Sequence, residues 1–453
     1  ISVKRKRAGM NFVYIHTHDS GRYIQPYGIA ADNPNLMRLA RESFMFHQAH
    51  SAAPICSPSR TALLTGMYPH CSGMYGLSHR GFVTNDFSRH LSNFLHRNGY
   101  YTVLAGVQHE AKDPGMLGYD ERYSSFERDT RVRDARALEH ALDFLRSDRR
   151  GEKPFFLSFG LSATHLAYPE ATDIEEDFIA TPSPIVNTKE TRHDFAGYLT
   201  SLREADRCIG AVLDEIDAQG LRGNTVVLFT TDHGISFPDM KCTLRDAGTG
   251  VAMFIRHPAI GRGATDAMVS HIDVFPTLCE MLGLEAPDWL EGVSLLPLMR
   301  GETDRVHDCI FSEVTYHAAY DPMRAVRTDR MKLIRHFGEL RRPLVNIGDH
   351  AAKDIFLTSK LPYIPREPVY LYDLVADPEE RQNLAHRPEY AEELCALSDM
   401  LDGWMQRTND PLLYGQVPLC PGQTANRTDA VSPFEPVYDM YGNEVIKPAK
   451  KRK

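Results

Sequence analysis

Residues 56–66 read CSPSRTALLTG, and this stretch predicts a helix that begins at Cys56. Pro58 favours a turning backbone ahead of the helix, the following residues are good helix formers, and Gly66 is a natural C-terminal stop. A helix N-terminus stabilises anions through its free N–H groups and the positive end of its dipole. Arg60 adds a guanidinium suited to oxyanions. The stretch therefore predicts a site for a tetrahedral anion beside Cys56, although most lone cysteines are buried and inert.

Short apolar runs alternate with helical patterns along the chain, which predicts an α/β fold with a mainly parallel sheet between two layers of helices. Polar side chains follow four of these runs. The ligand crevice of such a sheet lies beyond the carboxyl ends of its strands, so we expect these side chains to converge near Cys56. The runs and the residues that follow them are 12–15 with His18 and Asp19, 101–104 with His109, 155–159 with His165, and 226–229 with Asp232 and His233.

Asp19, Asp232 and His233 together favour a metal site, because carboxylates and an imidazole hold a divalent cation. The alternative is that each caps a helix or pairs with a surface cation, and this is the better account for any one of them alone. By strand alternation His16 shares a face with His18 but lies deeper. We therefore interpret His16 as a core histidine outside the site.

The composition is that of an ordinary globular enzyme. The 453 residues are 42% hydrophobic and 25% charged, enough for a large core and two domains. A net charge of −9 argues against a nucleic-acid partner and gives no attraction to an anionic membrane. Eight cysteines show no paired metal spacing and are too sparse for a disulfide scaffold, so we expect reduced thiols. No run approaches the ~20 apolar residues of a membrane helix.

The stretch at 56–66 resembles the first signature of the type I sulfatases, Cys-x-Pro-Ser-Arg-x-x-x-Leu-Thr-Gly, at every fixed position. Residues 99–109 resemble the second signature, Gly-Tyr-x-Thr-x-x-x-Gly-Lys-x-His, except that Val107 replaces the lysine. The resemblance implies an alkaline-phosphatase-like fold. It also implies that a maturation enzyme oxidises Cys56 to formylglycine, whose hydrate is the nucleophile.

The resemblance also implies roles for individual residues. The family's usual second aspartate is His18 here, and its usual asparagine is His233, a change with precedent in related phosphonate and phosphodiester hydrolases. Calcium is the family's metal, whereas two imidazoles shift the preference toward manganese. The implied catalytic residues are Cys56, Arg60, His109, His165 and Lys241, and the implied metal ligands are Asp19, Asp232, His233, Cys56 and His18.

The implied mechanism is attack by the hydrated aldehyde on sulfur. The metal and Asp232 assist deprotonation, while His165 or Lys241 protonates the leaving group. The second hydroxyl then loses its proton to His109, and sulfate departs. A serine nucleophile has no second hydroxyl, so its sulfate ester would have to be hydrolysed by a water molecule.

Within the family, residues 74–77, 229–238 and 322–327 resemble the heparan N-sulfatases, or sulfamidases. These segments also occur in bacterial enzymes acting on O-sulfated sugars, so the choice between N- and O-sulfate stays open. The expected partner is a sulfated small molecule or glycan. Two alternatives are a phosphonate or phosphodiester hydrolase of the same superfamily and an inactive carbohydrate-binding homologue.

We expect a catalytic domain over residues 10–305, a smaller α+β domain with a short antiparallel sheet over 306–412, and an extension over 413–453. Residues 325–334 alternate around a turn, as a hairpin does. His317 and Arg324 are candidate substrate-binding residues of the smaller domain. Domain-interface roles are as good an account of both.

Residues 1–7 are basic but precede no apolar segment and no small-residue cleavage site. This pattern favours the cytoplasm. If a leader was removed from this sequence, the expected location is instead the periplasm or the exterior of the cell.

Overall fold

The computed structural model of the protein describes residues 9–124, 127 and 129–445. Its larger part is an eight-stranded sheet with the strand order β4-β3-β5-β1-β6-β7-β2-β8. β7 runs antiparallel to its neighbours β6 and β2, whereas the other paired strands are parallel. The predicted mainly parallel sheet is therefore confirmed. The strands are β1 (Asn11–Thr17), β2 (Phe44–His50), β3 (Tyr101–Gly106), β4 (Glu121–Tyr123), β5 (Phe155–Gly160), β6 (Thr225–Thr231), β7 (Met253–Arg256) and β8 (Gly263–Ser270).

Helices cover both faces of this sheet. Successive β1 residues alternate between two apolar clusters: Val13 packs toward α1, α5 and α6, and Tyr14 packs toward α2, α4 and α8. A strand buried on both faces needs a continuous apolar run, which is the pattern seen in the sequence. The helices are α1 (Pro34–Arg41), α2 (Cys56–Thr65), α3 (Pro69–Ser72), α4 (Leu91–Arg97), α5 (Thr130–Arg146), α6 (Lys189–Ala218), α7 (Asp246–Thr249), α8 (Val274–Leu282), α9 (Leu296–Arg300), α10 (Ala351–Leu357) and α11 (Ala391–Arg407).

A second, four-stranded antiparallel sheet follows the large one. Its strands are β9 (Ile310–Tyr316), β10 (Tyr320–Arg327), β11 (Met331–His336) and β12 (Val369–Asp373). β10 and β11 form the predicted hairpin, in which Arg327 lies opposite Lys332. Trp404 of α11 stacks on Phe311 of β9 with ring centroids 4.8 Å apart, so helix and sheet share an apolar core.

The chain after α11 returns across the second sheet. The Tyr316 hydroxyl donates to the backbone oxygen of Val417 at 2.8 Å, and two further short strands, β13 (Ala425–Asn426) and β14 (Val437–Tyr438), pair with each other. The domain boundaries expected at residues 305 and 412 stay predictions. The basic residues 1–7 and 450–453 lie outside the described residues, and no helix within those residues has the length and apolar character required to span a bilayer.

The carboxyl ends of the central strands carry the predicted polar residues to one edge of the large sheet. β1, β5 and β6 are adjacent in the sheet, and β3 lies beyond β5. Cys56 begins α2, six residues after β2 ends at His50. This edge is where the candidate site forms.

Candidate active site

Cys56 is the first residue of α2, as predicted. α2 ends at Gly66, whose φ of 68° is in the left-handed region that favours glycine. The whole helix is buried. Its first side chain places Sγ 3.4 Å from Nε2 of His233 and 3.8 Å from Oδ1 of Asp19. Cys56 therefore does meet residues from the ends of β1 and β6.

Two buried aspartates, Asp19 and Asp232, lie beside Cys56. The backbone N–H of Asp19 donates to Oδ1 of Asp232 at 2.8 Å, which ties the two strand ends together. Asp19 has a positive φ of 49°, in the left-handed region that few non-glycine residues adopt. Burial raises the pKa of Asp19, but Lys241, which donates from Nζ to Oδ2 at 2.7 Å, holds that pKa well below its usual value. The carboxylate is therefore ionised.

Arg60 lies within α2 and is held by contacts inside the protein. Its guanidinium donates to Nδ1 of His16 at 2.5 Å, to the backbone oxygen of Thr17 at 3.2 Å and to Oδ2 of Asp232 at 3.1 Å. The side chain is 1% exposed. Burial raises the pKa of Asp232, whereas His233 and Arg60 hold it well below its usual value. Arg60 is thus a positioning residue for Asp232, and His16 is the buried partner of Arg60.

Four residues offer ligand atoms within 4.8 Å of one another, namely His18, Asp19, Cys56 and Asp232. Nδ1 of His18 is 3.3 Å from Oδ2 of Asp232 and 3.7 Å from Oδ1 of Asp19, and it has no hydrogen-bond partner among the described residues. Burial and Arg60 lower the pKa of His18, but the two carboxylates outweigh them and raise it to about 10. The cluster therefore attracts positive charge, and a divalent cation fits it with neutral His18 as a ligand.

His233 points its Nε2 atom into the same cluster. Nδ1–H donates to the backbone oxygen of Gly234 at 2.9 Å, and this contact leaves the lone pair on Nε2. Nε2 lies 3.4 Å from Oδ1 of Asp19 and 3.5 Å from Oδ2 of Asp232. A backbone carbonyl on the far nitrogen is the usual support of a metal-binding histidine.

Three further histidines lie near the cluster. The rings of His109 and His165 lie 4.8 and 5.3 Å from the ring of His18. Burial lowers the pKa of His109 to about 4 and the pKa of His165 as well, although Cys56 acts in the opposite direction on both. His317 interacts electrostatically with Lys241 and Cys56, and burial holds its pKa well below the usual value. All three are neutral near pH 7 and able to accept a proton.

Arg324, a candidate for substrate binding or for a domain-interface role, lies among acidic partners in the structure. The side chain is fully buried and donates from Nε and Nη2 to Asp410 at 2.5 and 3.0 Å, with Oε2 of Glu313 3.2 Å from Nη2. Nη1 donates to the backbone oxygen of Val314 at 2.9 Å. Arg324 of β10 thus joins β9 to the chain after α11, which are the contacts expected of the interface role.

Sequence analysis missed residues that hold the strand ends in place. Ser59 donates from Oγ to the backbone oxygen of Asp232 at 2.6 Å. Thr164, after β5, donates from Oγ1 to the backbone oxygen of His18 at 2.8 Å. The fixed serine of the 56–66 stretch was a signal for the first contact. Nothing in the sequence around Thr164 marks the second.

A family model described as Sulfatase matches residues 10–284, which is more than half of the chain. The chain belongs to the sulfatase family. It is therefore a hydrolase of sulfate esters or sulfamates. A second model, N-sulphoglucosamine sulphohydrolase, C-terminal, matches residues 239–344 of this sulfatase.

Relatives with known names extend the comparison. An ulvan-active sulfatase of Formosa agariphila is 29% identical over 84% of this chain and 76% of its own length. Human N-sulphoglucosamine sulphohydrolase is 28% identical over 87% of this chain and 88% of its own length. Among solved structures, BT1596, a 2-O GAG sulfatase, has a TM-score of 0.71 at 20% identity and covers 93% of this chain and 98% of that one. The last likeness confirms the fold.

Proposed function

We propose that this sulfatase removes sulfate from a sulfated sugar or glycosaminoglycan fragment, with residue 56 oxidised to formylglycine and a divalent cation beside it. The observation that carries the proposal is the environment of the Cys56 side chain. Burial raises the pKa of its thiol, but Lys241, His233, His109 and His18 together hold it well below the usual value. The sulfur stands here for the hydroxyl oxygen of an aldehyde hydrate. Groups that stabilise a thiolate at this point also stabilise an oxyanion nucleophile.

Asp19, Asp232, His18 and His233 are the residues that would hold the cation. When bound, it would polarise the sulfuryl oxygens and lower the pKa of the nucleophile. Two imidazoles among the ligands favour a softer ion than calcium, such as manganese.

The balance of charge supports a sulfate monoester or sulfamate as substrate. The carboxylates of Asp19 and Asp232 are matched by Lys241 and Arg60, which bind them directly. A divalent cation then leaves two positive charges, which one monoanionic sulfate group and one oxyanion nucleophile neutralise. Val107 adds no charge where the family has a lysine, so a dianionic phosphate monoester would be under-compensated.

The remaining roles follow from which groups carry a proton. Asp19 raises the pKa of Lys241, so its ammonium stays charged, and its other two N–H groups have no partner in the described part of the chain. We assign Lys241 to the sulfuryl oxygens and leaving group. His109, which is neutral, would accept the proton of the second hydroxyl. His165, whose ring centroid lies 5.3 Å from that of His18, would relay a proton to or from the leaving group.

Oxidation of Cys56 requires a partner, a formylglycine-generating maturation enzyme. Because α2 is buried along its whole length and Cys56 is 2% exposed, the folded protein hides this side chain. We propose that the maturation enzyme acts before α2 packs onto the sheet.

The names of the relatives support a sugar substrate. Besides N-sulphoglucosamine sulphohydrolase and the ulvan-active sulfatase, a structural neighbour was solved with D-glucosamine-2-N,6-O-disulfate as its substrate, at a TM-score of 0.69 and 18% identity. Both N- and O-sulfated sugars stay open.

The test is release of inorganic sulfate, measured by ion chromatography, from a panel of N- and O-sulfated glucosamines, galactosamines and uronate disaccharides. Phosphodiesters and phosphonates belong in the same panel. We expect release from at least one sulfated sugar, its loss after chelation with EDTA, and its recovery with Mn²⁺ or Ca²⁺. Phosphodiester or phosphonate hydrolysis without any sulfate release would contradict the proposal.

A further inference from the structure

Arg80 is a buried arginine that has no acidic partner among the described residues. It ends the short 3-10 turn Ser78–Arg80 and is 9% exposed. Nη2 donates to Oδ1 of Asn426 at 2.8 Å, whereas Nε and Nη1 are buried without a hydrogen-bond partner among the described residues. Burial lowers the pKa of Arg80 to about 10, with no described carboxylate acting against it.

A buried guanidinium with unused donors is costly unless something compensates its charge. Two other deeply buried arginines have an internal counter-ion: Arg60 binds Asp232 at 3.1 Å and Arg324 binds Asp410 at 2.5 Å. Arg80 does not, so its counter-ion must come from outside the described chain.

The turn that carries Arg80 lies against the helix of the nucleophile. The backbone N–H of Ser78 donates at 3.0 Å to Oγ of Ser57, the residue after Cys56. The charge of Arg80 acts on His317, which also interacts with Cys56 and Lys241. The turn therefore lies beside the nucleophile's helix, and Arg80 is within electrostatic range of His317, a candidate substrate-binding residue.

The extension beyond α11 holds Arg80 in place. The backbone N–H of Thr424 donates to the backbone oxygen of Arg80 at 2.9 Å, and a Cβ on Gly81 would lie 2.0 Å from the backbone oxygen of Gly422. Nδ2 of Asn426 donates to the backbone oxygens of Glu435 and Pro436 at 2.9 and 3.1 Å, which fixes its Oδ1 toward Arg80.

Asn426 therefore orients the guanidinium without neutralising it. An aspartate at this position would supply a negative charge to Arg80, but its second oxygen would face the two carbonyl oxygens that Nδ2 of Asn426 binds. An amide keeps the positive charge available, as a site that receives an anion requires.

We propose that Arg80 binds a second anionic group of the substrate, a sulfate or a carboxylate on the sugar that bears the scissile group or on the adjoining sugar. The proposal rests on the sulfated-sugar function above. It makes Arg80 a specificity residue that favours multiply charged fragments over singly sulfated ones.

The test is calorimetric binding to the Cys56→Ala protein, which does not turn over its ligand. The probes are glucosamine 2-N-sulfate, glucosamine 2-N,6-O-disulfate and a uronate-containing N-sulfated disaccharide. The second anionic group is a sulfate in the disulfate and a carboxylate in the disaccharide, so these two probes show which group Arg80 binds. We expect at least one doubly charged probe to bind about tenfold or more tightly than the monosulfate. Arg80→Met and Asn426→Asp should each abolish that preference and leave monosulfate binding within about twofold.

The unfolding temperature separates a binding role for Arg80 from a structural one. If Arg80 serves binding, Arg80→Met removes an uncompensated buried charge, and its unfolding temperature should equal or exceed that of the parent. A clear fall in that temperature with an intact preference would overturn the proposal, as would equal binding of all three probes. Sulfate release by the wild-type enzyme from singly sulfated sugars tests the proposed function separately, because it does not involve the second group.

Discussion

Replacing Cys56 with alanine should abolish sulfate release, lowering kcat/KM by at least about 10⁴-fold, because the variant lacks the side chain from which the proposed aldehyde nucleophile is made. The fold should persist. The side chain is small and packs in a minor cluster with Ile55 and Leu77, so its truncation removes little buried apolar surface. Sulfate release and thermal unfolding followed by circular dichroism measure the two effects.

Two variants make this result specific. Cys56→Ser keeps a hydroxyl but no second one, and it should show no more than a single turnover per site. Cys279→Ala removes another buried thiol, in α8, and should keep nearly full activity. Activity of Cys56→Ala close to that of the wild type would mean that the nucleophile is elsewhere.

Replacing Arg324 with methionine should destabilise the protein by about 3–5 kcal/mol, because it leaves the buried Asp410 and Glu313 without their cation. Burial of unpaired carboxylates is among the few single changes with effects of this size. Urea-induced unfolding monitored by tryptophan fluorescence gives the free energy, since the buried Trp404 lies in the same domain.

Arg330→Met is the matched control. Arg330 also binds an aspartate, Asp373 at 2.8 Å, but its side chain is largely exposed, so the urea midpoint should hardly change. If Arg324→Met instead kept its stability and raised KM for the sugar, Arg324 would be a substrate-binding residue after all.

The strand ends could be predicted from the sequence because the relevant signals are local. Each buried strand is a continuous apolar run, and the polar residue that follows it necessarily lies at the carboxyl edge of a parallel sheet. Asp19 and Asp232 are more than two hundred residues apart, yet their pairing follows from the adjacency of β1 and β6.

The partners of the arginines could not be predicted in this way. Arg60 and Arg324 carry the same charge in the sequence, and only tertiary contacts commit both to aspartates rather than to a ligand. Arg80 meets Asn426 across 346 positions. No local pattern indicates which buried guanidinium keeps its charge free, because that depends on whether a distant partner is an acid or an amide.

His18 and His233 give this site a character of its own. Both imidazoles face Asp19 and Asp232, so the ligand set has fewer fixed negative charges than one built from four carboxylate or amide oxygens. A ligand set with fewer negative charges needs fewer cations around it. Lys241 and Arg60, which bind the two aspartates, therefore suffice for a monoanionic sulfate group without a lysine at position 107.

The oxidation state of residue 56 tests the central claim most directly. The measurement is the mass of the proteolytic peptide containing Cys56, taken from protein produced together with a formylglycine-generating enzyme and assayed for sulfate release in the same preparation. We predict an aldehyde in place of the thiol, with activity in proportion to the oxidised fraction. A fully active preparation in which Cys56 is still a thiol would contradict the account.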